Sequence, residues 1–322
     1  MTSPSNNITH ALRRIAAEMS GPIPKRQLGK TGLMVSQLGL GGGGGISLED
    51  NEDQAQELIE TALELGINYI DTAADYGPSE KRIGAVLGSS RADVVLATKT
   101  DDRTYKGAKK QLESSLRALK TDYIDIWQIH HIDHDEEVEQ IFSKGGAMEA
   151  VEEAKRKGTV KFAGVTGHYD PRPLKKCLSL YDFDTILLAM NAADVHKNSF
   201  IKGVLPEAVK QDIGIVGMKV ACLGRIFHSW LLNNMQDSLD YVLSLPVATA
   251  IIGVETQAQL YENVLCAKRF KPLTEDQMKE LEDKTKSYAH LANFFRRGNE
   301  KYNPFWKAYP QKKGNVAGAI FL

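Results

Sequence analysis

Residues 66–77 read Gly66-Ile67-Asn68-Tyr69-Ile70-Asp71-Thr72-Ala73-Ala74-Asp75-Tyr76-Gly77. A helix-ending glycine is followed by a short apolar strand and then by a polar loop that presents Asp71 and, five residues later, Tyr76. A strand that releases two ionisable side chains from its C-terminal end is the layout of an α/β site, in which loops carried by a rigid sheet hold the chemistry. What surrounds this stretch decides whether the sheet is closed or open.

Upstream, Gln27-Leu28-Gly29 and the Lys30-Thr31-Gly32 turn predict a β-hairpin, and residues 37–41 a first core strand that runs into the five glycines 41–45. Those glycines do not form GxGxxG ahead of a helix, so the dinucleotide fingerprint of the doubly wound fold is not met. Ala55, Leu58, Ile59, Ala62 and Leu63 then make one helical face, closed by Gly66. Downstream the alternation continues. Strands are predicted at 94–99, 123–129, 160–166, 185–190, 214–220 and 248–253, separated by helical patterns. These patterns are Ile83, Val86 and Leu87; Ala108, Leu112, Leu116 and Leu119; Ala147, Val151 and Ala154; residues 174–180; residues 204–209; and Leu232, Met235, Leu239, Val242 and Leu243, with an eighth helix at 260–267. Eight regular βα units with right-handed crossovers predict a closed (β/α)8 TIM barrel, with a doubly wound open sheet as the alternative. The expected organisation is an N-terminal extension over 1–25 and one barrel domain over 26–322, which includes a helical, aromatic-rich C-terminal tail from 271.

The 40 basic and 41 acidic residues nearly cancel, which argues against a nucleic-acid partner. Cys177, Cys222 and Cys266 are odd in number and widely spaced, so neither a disulfide framework nor a structural zinc site is expected, and a reducing cytoplasmic setting fits. No apolar run approaches the ~20 residues of a membrane span. Near the N-terminus, Ile8, Leu12, Ile15 and Met19 alternate with Arg13, Arg14 and Glu18, an amphipathic helix rather than a signal segment. In the tail, Thr274 to Gln277 is a capping box opening a helix with Met278, Leu281, Tyr288 and Leu291 on one side. Beyond it Phe294, Phe295, Tyr302, Phe305, Trp306 and Tyr309 either cover the outer wall or fold over the mouth, where Phe305 and Trp306 would reach a substrate.

Lys99 falls at the end of the third strand and His130 at the end of the fourth, so with Asp71 and Tyr76 they converge on the top face of a closed barrel. These residues, with the pattern GxxxxDTAxxYG over 66–77, Ala97-Thr98-Lys99, Tyr123-Ile124-Asp125-Ile126-Trp127-Gln128-Ile129-His130 and the run 157–165, resemble the aldo-keto reductase family. The resemblance runs from Arg26 to Asn263. It implies an (α/β)8 barrel that binds a nicotinamide cofactor without a Rossmann domain and transfers hydride to or from an aldehyde, ketone or sugar-like carbonyl. It assigns Tyr76 as the general acid/base, with Lys99 beside it favouring the phenolate of a group whose ordinary pKa is ~10. Asp71 would hold Lys99 charged and His130 would orient the substrate oxygen. Here the residues and the chemistry agree, because carbonyl reduction needs a proton donor at the oxygen and positive charge nearby.

For the cofactor, the resemblance points to Gly42; to Thr166-Gly167 in place of a Ser-Asn pair; to Asn191 or Leu187 in place of a strand-six Gln; and to Met218 and Lys219 beside the nicotinamide. Gly224 and Arg225 would embrace the pyrophosphate. Gly253, Glu255, Gln259, Glu262 and Asn263 occupy the region that recognises the adenosine end. NADP(H) is the family default, and Glu255 makes NAD(H) a second candidate, since a carboxylate repels a 2′-phosphate and accepts hydrogen bonds from ribose hydroxyls. His131, His134 and His168 suit a hydroxyl-rich substrate, with His131 and His168 as the contacts proposed. The run 130–135 holds three His and two Asp but lacks a helical i, i+4 register, so no metal is expected. Other readings are a redox-neutral sugar-converting enzyme with a tightly held cofactor, a nucleotide-sensing barrel subunit, and a Lys99 Schiff-base aldolase, which pairing with Asp71 disfavours by keeping the amine protonated.

Overall fold

The computed structural model describes residues 19–228 and 231–296. Ile8, Leu12 and Ile15 of the amphipathic stretch, and Tyr302, Phe305, Trp306 and Tyr309 of the tail, lie outside the described residues. Strands β1 (Lys25–Gln27) and β2 (Met34–Ser36) pair antiparallel with Arg26 opposite Val35. Leu28, at the turn, is fully buried, and the Arg26 guanidinium donates to the carbonyls of Leu243 and Val247 at 2.9 and 2.8 Å. The hairpin thus stoppers the N-terminal end of the sheet that follows.

That sheet is a closed barrel of eight parallel strands: β3 (Leu38–Gly41), β4 (Tyr69–Asp71), β5 (Val95–Thr100), β6 (Ile124–Ile129), β7 (Val160–Gly167), β8 (Thr185–Ala189), β9 (Gly214–Met218) and β10 (Thr249–Ile252). Neighbours in sequence are neighbours in space, and β10 closes onto β3 with Ile251 opposite Gly39. Strands covered on both faces must be apolar almost throughout. All six residues of β5 and all six of β6 are buried, Trp127 included.

Helices α1 (Glu52–Glu64), α2 (Ser79–Leu87), α3 (Tyr105–Ala118), α4 (Asp135–Phe142), α5 (Ala147–Lys157), α6 (Pro171–Leu180), α7 (Phe200–Gly203), α8 (Leu205–Lys210), α9 (Met235–Ser244) and α10 (Gln257–Arg269) cover the outside. In α1 the apolar spacing delivers Ala55, Leu58, Ile59 and Ala62 to the core, each Leu or Ile contributing roughly 1.5–3 kcal/mol. The helix stops because Gly66 takes φ +88, a left-handed conformation that other residues adopt only with strain. The chain then turns directly into β4.

Three details differ from the sequence reading. Helix α4 is additional: Val138 and Ile141 are its only buried residues, hidden in the run Asp135-Glu136-Glu137, and Glu137 accepts the backbone N–H groups of Asp133 and His134 at 2.8 and 3.0 Å. The 204–209 pattern forms α8, and α7 is a further short helix just before it, kept separate because Pro206 falls in the first turn of α8 and cannot continue a preceding helix. The helix opened by the Thr274 capping box, α11 (Glu275–Thr285), stops at Thr285, and a separate short helix, α12 (Ala289–Ala292), follows. Leu281 and Tyr288 are buried, but Leu291 is 50 % exposed and does not share their face.

At the N-terminal end of the strands Arg91 stacks on Tyr123, with 4.0 Å to the ring centroid, and meets Asp125 at 2.8 Å. Asp125 also accepts from the Leu96 N–H and from Lys161. Removing one member of such a pair leaves the other buried and uncompensated. Asp125→Ala is therefore expected to lower stability by about 3 kcal/mol, read as a shift of the urea midpoint, with catalytic constants unchanged because this face is opposite the mouth.

Candidate active site

At the C-terminal ends of β4, β5 and β6 the barrel interior turns from apolar to ionic. Asp71 and Lys99 are 2 % and 1 % exposed at their side chains and lie 2.5 Å apart, Nζ to Oδ2. Lys99 also donates to the Thr72 carbonyl at 2.7 Å, and the Gln128 amide donates to Asp71 Oδ1 at 2.9 Å. Burial pulls the Lys99 ammonium down, but Asp71 and Tyr76 beside it outweigh that and raise it above its ordinary value. Lys99 is therefore held as a cation. Its Nζ sits 4.8 Å from the centroid of the Tyr76 ring.

Tyr76 hangs from the loop after β4. A Cβ on Gly43 would lie 3.1 Å from Tyr76 Cε2, so the glycine run lets the backbone lie flat against the ring. Lys99 acts on the phenol in the expected direction, yet burial is the larger effect and the hydroxyl is raised above its ordinary value. Edge-on to Tyr76, with ring centroids 5.6 Å apart, is His130. Burial, reinforced by His131, Lys99, Arg103 and Lys219, drives its imidazole well below the usual range, so it is neutral near pH 7. Sequence reasoning thus brought together four residues that the structure also brings together.

His131 and His168 join them. The three imidazole centroids are 4.1 Å (130–131), 5.7 Å (131–168) and 6.4 Å (130–168) apart. His131 adopts φ +33; its N–H donates to Thr166 Oγ1 at 2.9 Å and its carbonyl accepts from Arg103 at 3.0 Å. His168 is pulled well below its usual value by burial and by Lys219, His131, His130 and Lys99. Phe295 stands 6.5 Å from its ring, so the segment after α12 reaches the mouth, while Phe305 and Trp306 lie outside the described residues.

The residues expected around a nucleotide line the neighbouring strand ends. Thr166 and Gly167 finish β7, and Met218 finishes β9, buried, with Lys219 next at φ +59. The Lys219 ammonium is lowered by burial and makes no hydrogen bond or ion pair with any described residue. Asn191 is committed within the protein: its Nδ2 donates to Asn293 Oδ1 at 3.0 Å and its Oδ1 accepts from Ala193 N–H at 2.9 Å. Gly224 ends a short turn, and the Arg225 guanidinium stacks on Phe294 at 4.5 Å. Gly42 donates its N–H to the Asp71 carbonyl at 2.6 Å, joining β3 to the ionic centre.

After β10, the backbones of Gly44 and Gly45 press on 253–255: a Cβ on Gly44 would fall 2.9 Å from Gly253 Cα, one on Gly45 2.6 Å from the Val254 carbonyl oxygen. Glu255 is exposed, with its N–H donating to Gln259 Oε1 at 2.7 Å and its carbonyl accepting from Gln54 at 2.6 Å. Gln259 spends its side chain on capping α10, Glu262 is exposed and Asn263 is buried.

Four participants were not singled out from sequence. Gln128, which holds Asp71, was signalled by a polar residue on the same face of β6 as Ile124 and Ile126. Phe295 belonged to an aromatic cluster without an address. Asp75, 3.1 Å from His130 Nδ1, and Arg103, which pairs with Glu137, carried no local signal.

Residues 37–238 match the aldo/keto reductase family. The uncharacterized oxidoreductase YqkF of Bacillus subtilis is 28 % identical over 313 residues, covering 84 % of this chain and 99 % of that protein. L-galactose dehydrogenase of Arabidopsis thaliana is 35 % identical over 158 residues, 45 % of this chain and 49 % of its own length. Among solved structures, the holo form of aldo-keto reductase AKR11C1 from Bacillus halodurans superposes with a TM-score of 0.69 at 26 % identity, covering 81 % of this chain and 96 % of that one. A match across well over half the sequence, on a barrel of the same architecture, leads to one conclusion: the chain belongs to the aldo/keto reductase family of NAD(P)-dependent oxidoreductases.

Proposed function

We propose that the chain reduces, and in reverse oxidises, a small hydroxyl-rich carbonyl compound, with Tyr76 as the general acid/base. The observation that carries this reading is the stack of Lys99 between buried Asp71 and the Tyr76 ring, with neutral His130 edge-on to the same ring. In the reducing direction Tyr76 must hold its proton until the carbonyl oxygen gains charge, and its raised pKa keeps it protonated. Lys99, fixed as a cation, then stabilises the phenolate left behind. His130, uncharged, donates a hydrogen bond that positions the substrate oxygen.

The strand ends suit a nicotinamide dinucleotide. Lys219 offers an unneutralised ammonium for its anionic groups, Thr166 keeps its hydroxyl proton for an acceptor, and Met218 presents an apolar surface to a flat ring. When bound, that cofactor supplies the hydride. The histidine rim is the ground for a hydroxyl-rich substrate, since imidazoles both donate to and accept from hydroxyls. Sugar chemistry in the names of L-galactose dehydrogenase and of the 6-dehydroglucose reductase of Novosphingobium aromaticivorans, 34 % identical over 132 residues, points the same way.

Tyr76→Phe is expected to lower kcat by about 100-fold or more while nucleotide binding, followed by protein fluorescence, is retained; near-normal turnover would remove Tyr76 from the mechanism. With a polyhydroxylated aldehyde, His168→Ala is expected to raise KM with little change in kcat, the pattern of lost ground-state binding. Glu255 is proposed to make NADH acceptable alongside NADPH. Parallel titrations of wild type and Glu255→Lys should show the preference moving toward NADPH by roughly tenfold, the effect of about 1.4 kcal/mol of altered charge interaction. An unchanged ratio would place the 2′-position away from Glu255.

A further inference from the structure

The mouth carries a set of donor atoms that proton transfer does not account for. Asp75 Oδ1 lies 3.1 Å from His130 Nδ1, Asp75 Oδ2 lies 3.9 Å from His131 Nε2, and one donor atom from each of the three residues falls within 4.8 Å of the other two. His130 Nδ1 is buried and, despite the nearby carboxylate, has no hydrogen-bond partner among the described residues. A ring nitrogen and a carboxylate oxygen at that spacing, without a hydrogen bond between them, stand at the separation of two ligands of one ion. The backbone of His131 sustains the arrangement, since φ +33 folds its ring back to 4.1 Å from that of His130.

We propose that Asp75, His130 and His131 bind a divalent transition-metal ion across the mouth of the barrel, and that its binding inhibits the reaction. Two imidazoles and a carboxylate suit zinc and its neighbours, whereas magnesium and calcium prefer all-oxygen sites. Zinc takes such donors at ~2.0–2.2 Å, which sets neighbouring donors roughly 3.4 Å apart in a tetrahedron; the spacings here come close to this with small side-chain rotations. Only His130 and His131 come from the run 130–135 that its composition advertises. His134 instead turns to Tyr169, with 5.8 Å between centroids, and Asp75 is contributed by the loop after β4. Asp75 is 36 % exposed at its side chain and gives the ion a route from solvent. The inhibitory part rests on the reading of Tyr76 and His130 above: an ion on His130 fixes the ring that positions the substrate oxygen and adds positive charge beside Lys99. The binding part stands without that reading.

The experiment is zinc titration of the full, untagged chain by calorimetry, with competition against a chelating dye. One equivalent is expected to bind, and Asp75→Asn and His131→Gln should each weaken it by at least about tenfold. No binding, or binding retained in both variants, overturns the site. Cobalt(II) added to the wild-type chain serves as a check that needs no variant: visible bands of a low-coordinate nitrogen and oxygen site, abolished by zinc, support the proposal, and a spectrum unchanged from the aqua ion overturns it. Inhibition of turnover by zinc, reversed by chelator, supports the second part. Binding without inhibition overturns that part alone, and a chain devoid of reductase activity would sink the catalytic reading while leaving the titrations interpretable.

Discussion

Two opposite charges 2.5 Å apart inside a barrel are an obligation on everything around them. Each costs several kcal/mol to take out of water, and their attraction offsets this only when geometry is good and the remaining donors and acceptors are satisfied. Here the Thr72 carbonyl and the Gln128 amide complete the set. Asp71 sits opposite Ala97, and Lys99 opposite Gln128, so the arrangement requires β4, β5 and β6 to stand in one register. A pair of this kind adds little net stability, but it admits few alternatives for the top of the barrel, and it aims the Lys99 ammonium at the ring of Tyr76.

The same burial separates the roles of the groups nearby. Lys99 stays charged because its carboxylate partner outweighs its burial, while His130 and His168 are pushed toward neutrality by burial first and by nearby cations second. Tyr76 feels both influences, and burial prevails. One cluster at the strand ends thus combines a fixed cation, a phenol that keeps its proton, and imidazoles that can donate without carrying charge. That combination favours a polar, neutral or anionic ligand with lone pairs to offer.

The barrel was legible because its signals are local and repeat. The apolar run of β6 and the spacing Ala55, Leu58, Ile59, Ala62 each describe one element, and eight such alternations leave little choice of topology. Asp71, Lys99 and His130 were legible for the same reason, since a strand end fixes a position in space. Helix α4 was hidden because only Val138, Ile141 and Phe142 punctuate an otherwise polar, largely acidic run. The roles of Asn191 and Asp75 were out of reach for a different reason. Asn191 is claimed by Asn293, a hundred residues away, and Asp75 matters only because His130 and His131 fold toward it. Long-range partnership leaves no mark on spacing.

The contact between Gly44-Gly45 and residues 253–255 lies where the first and last barrel strands meet, so it is the seam at which the two ends of the βα series are sewn together. Backbone lies against backbone there, and the Gly45 N–H donates to the Val254 carbonyl at 2.9 Å. The neighbouring Gly43 lies against Tyr76, while Glu255 follows Val254, so a single stitch runs from the proposed proton donor to the region proposed to read the nucleotide. Any side chain added at the seam would displace both ends of that stitch together. Side-chain changes from Glu255 outward fall beyond this seam and leave the packing around Tyr76 undisturbed.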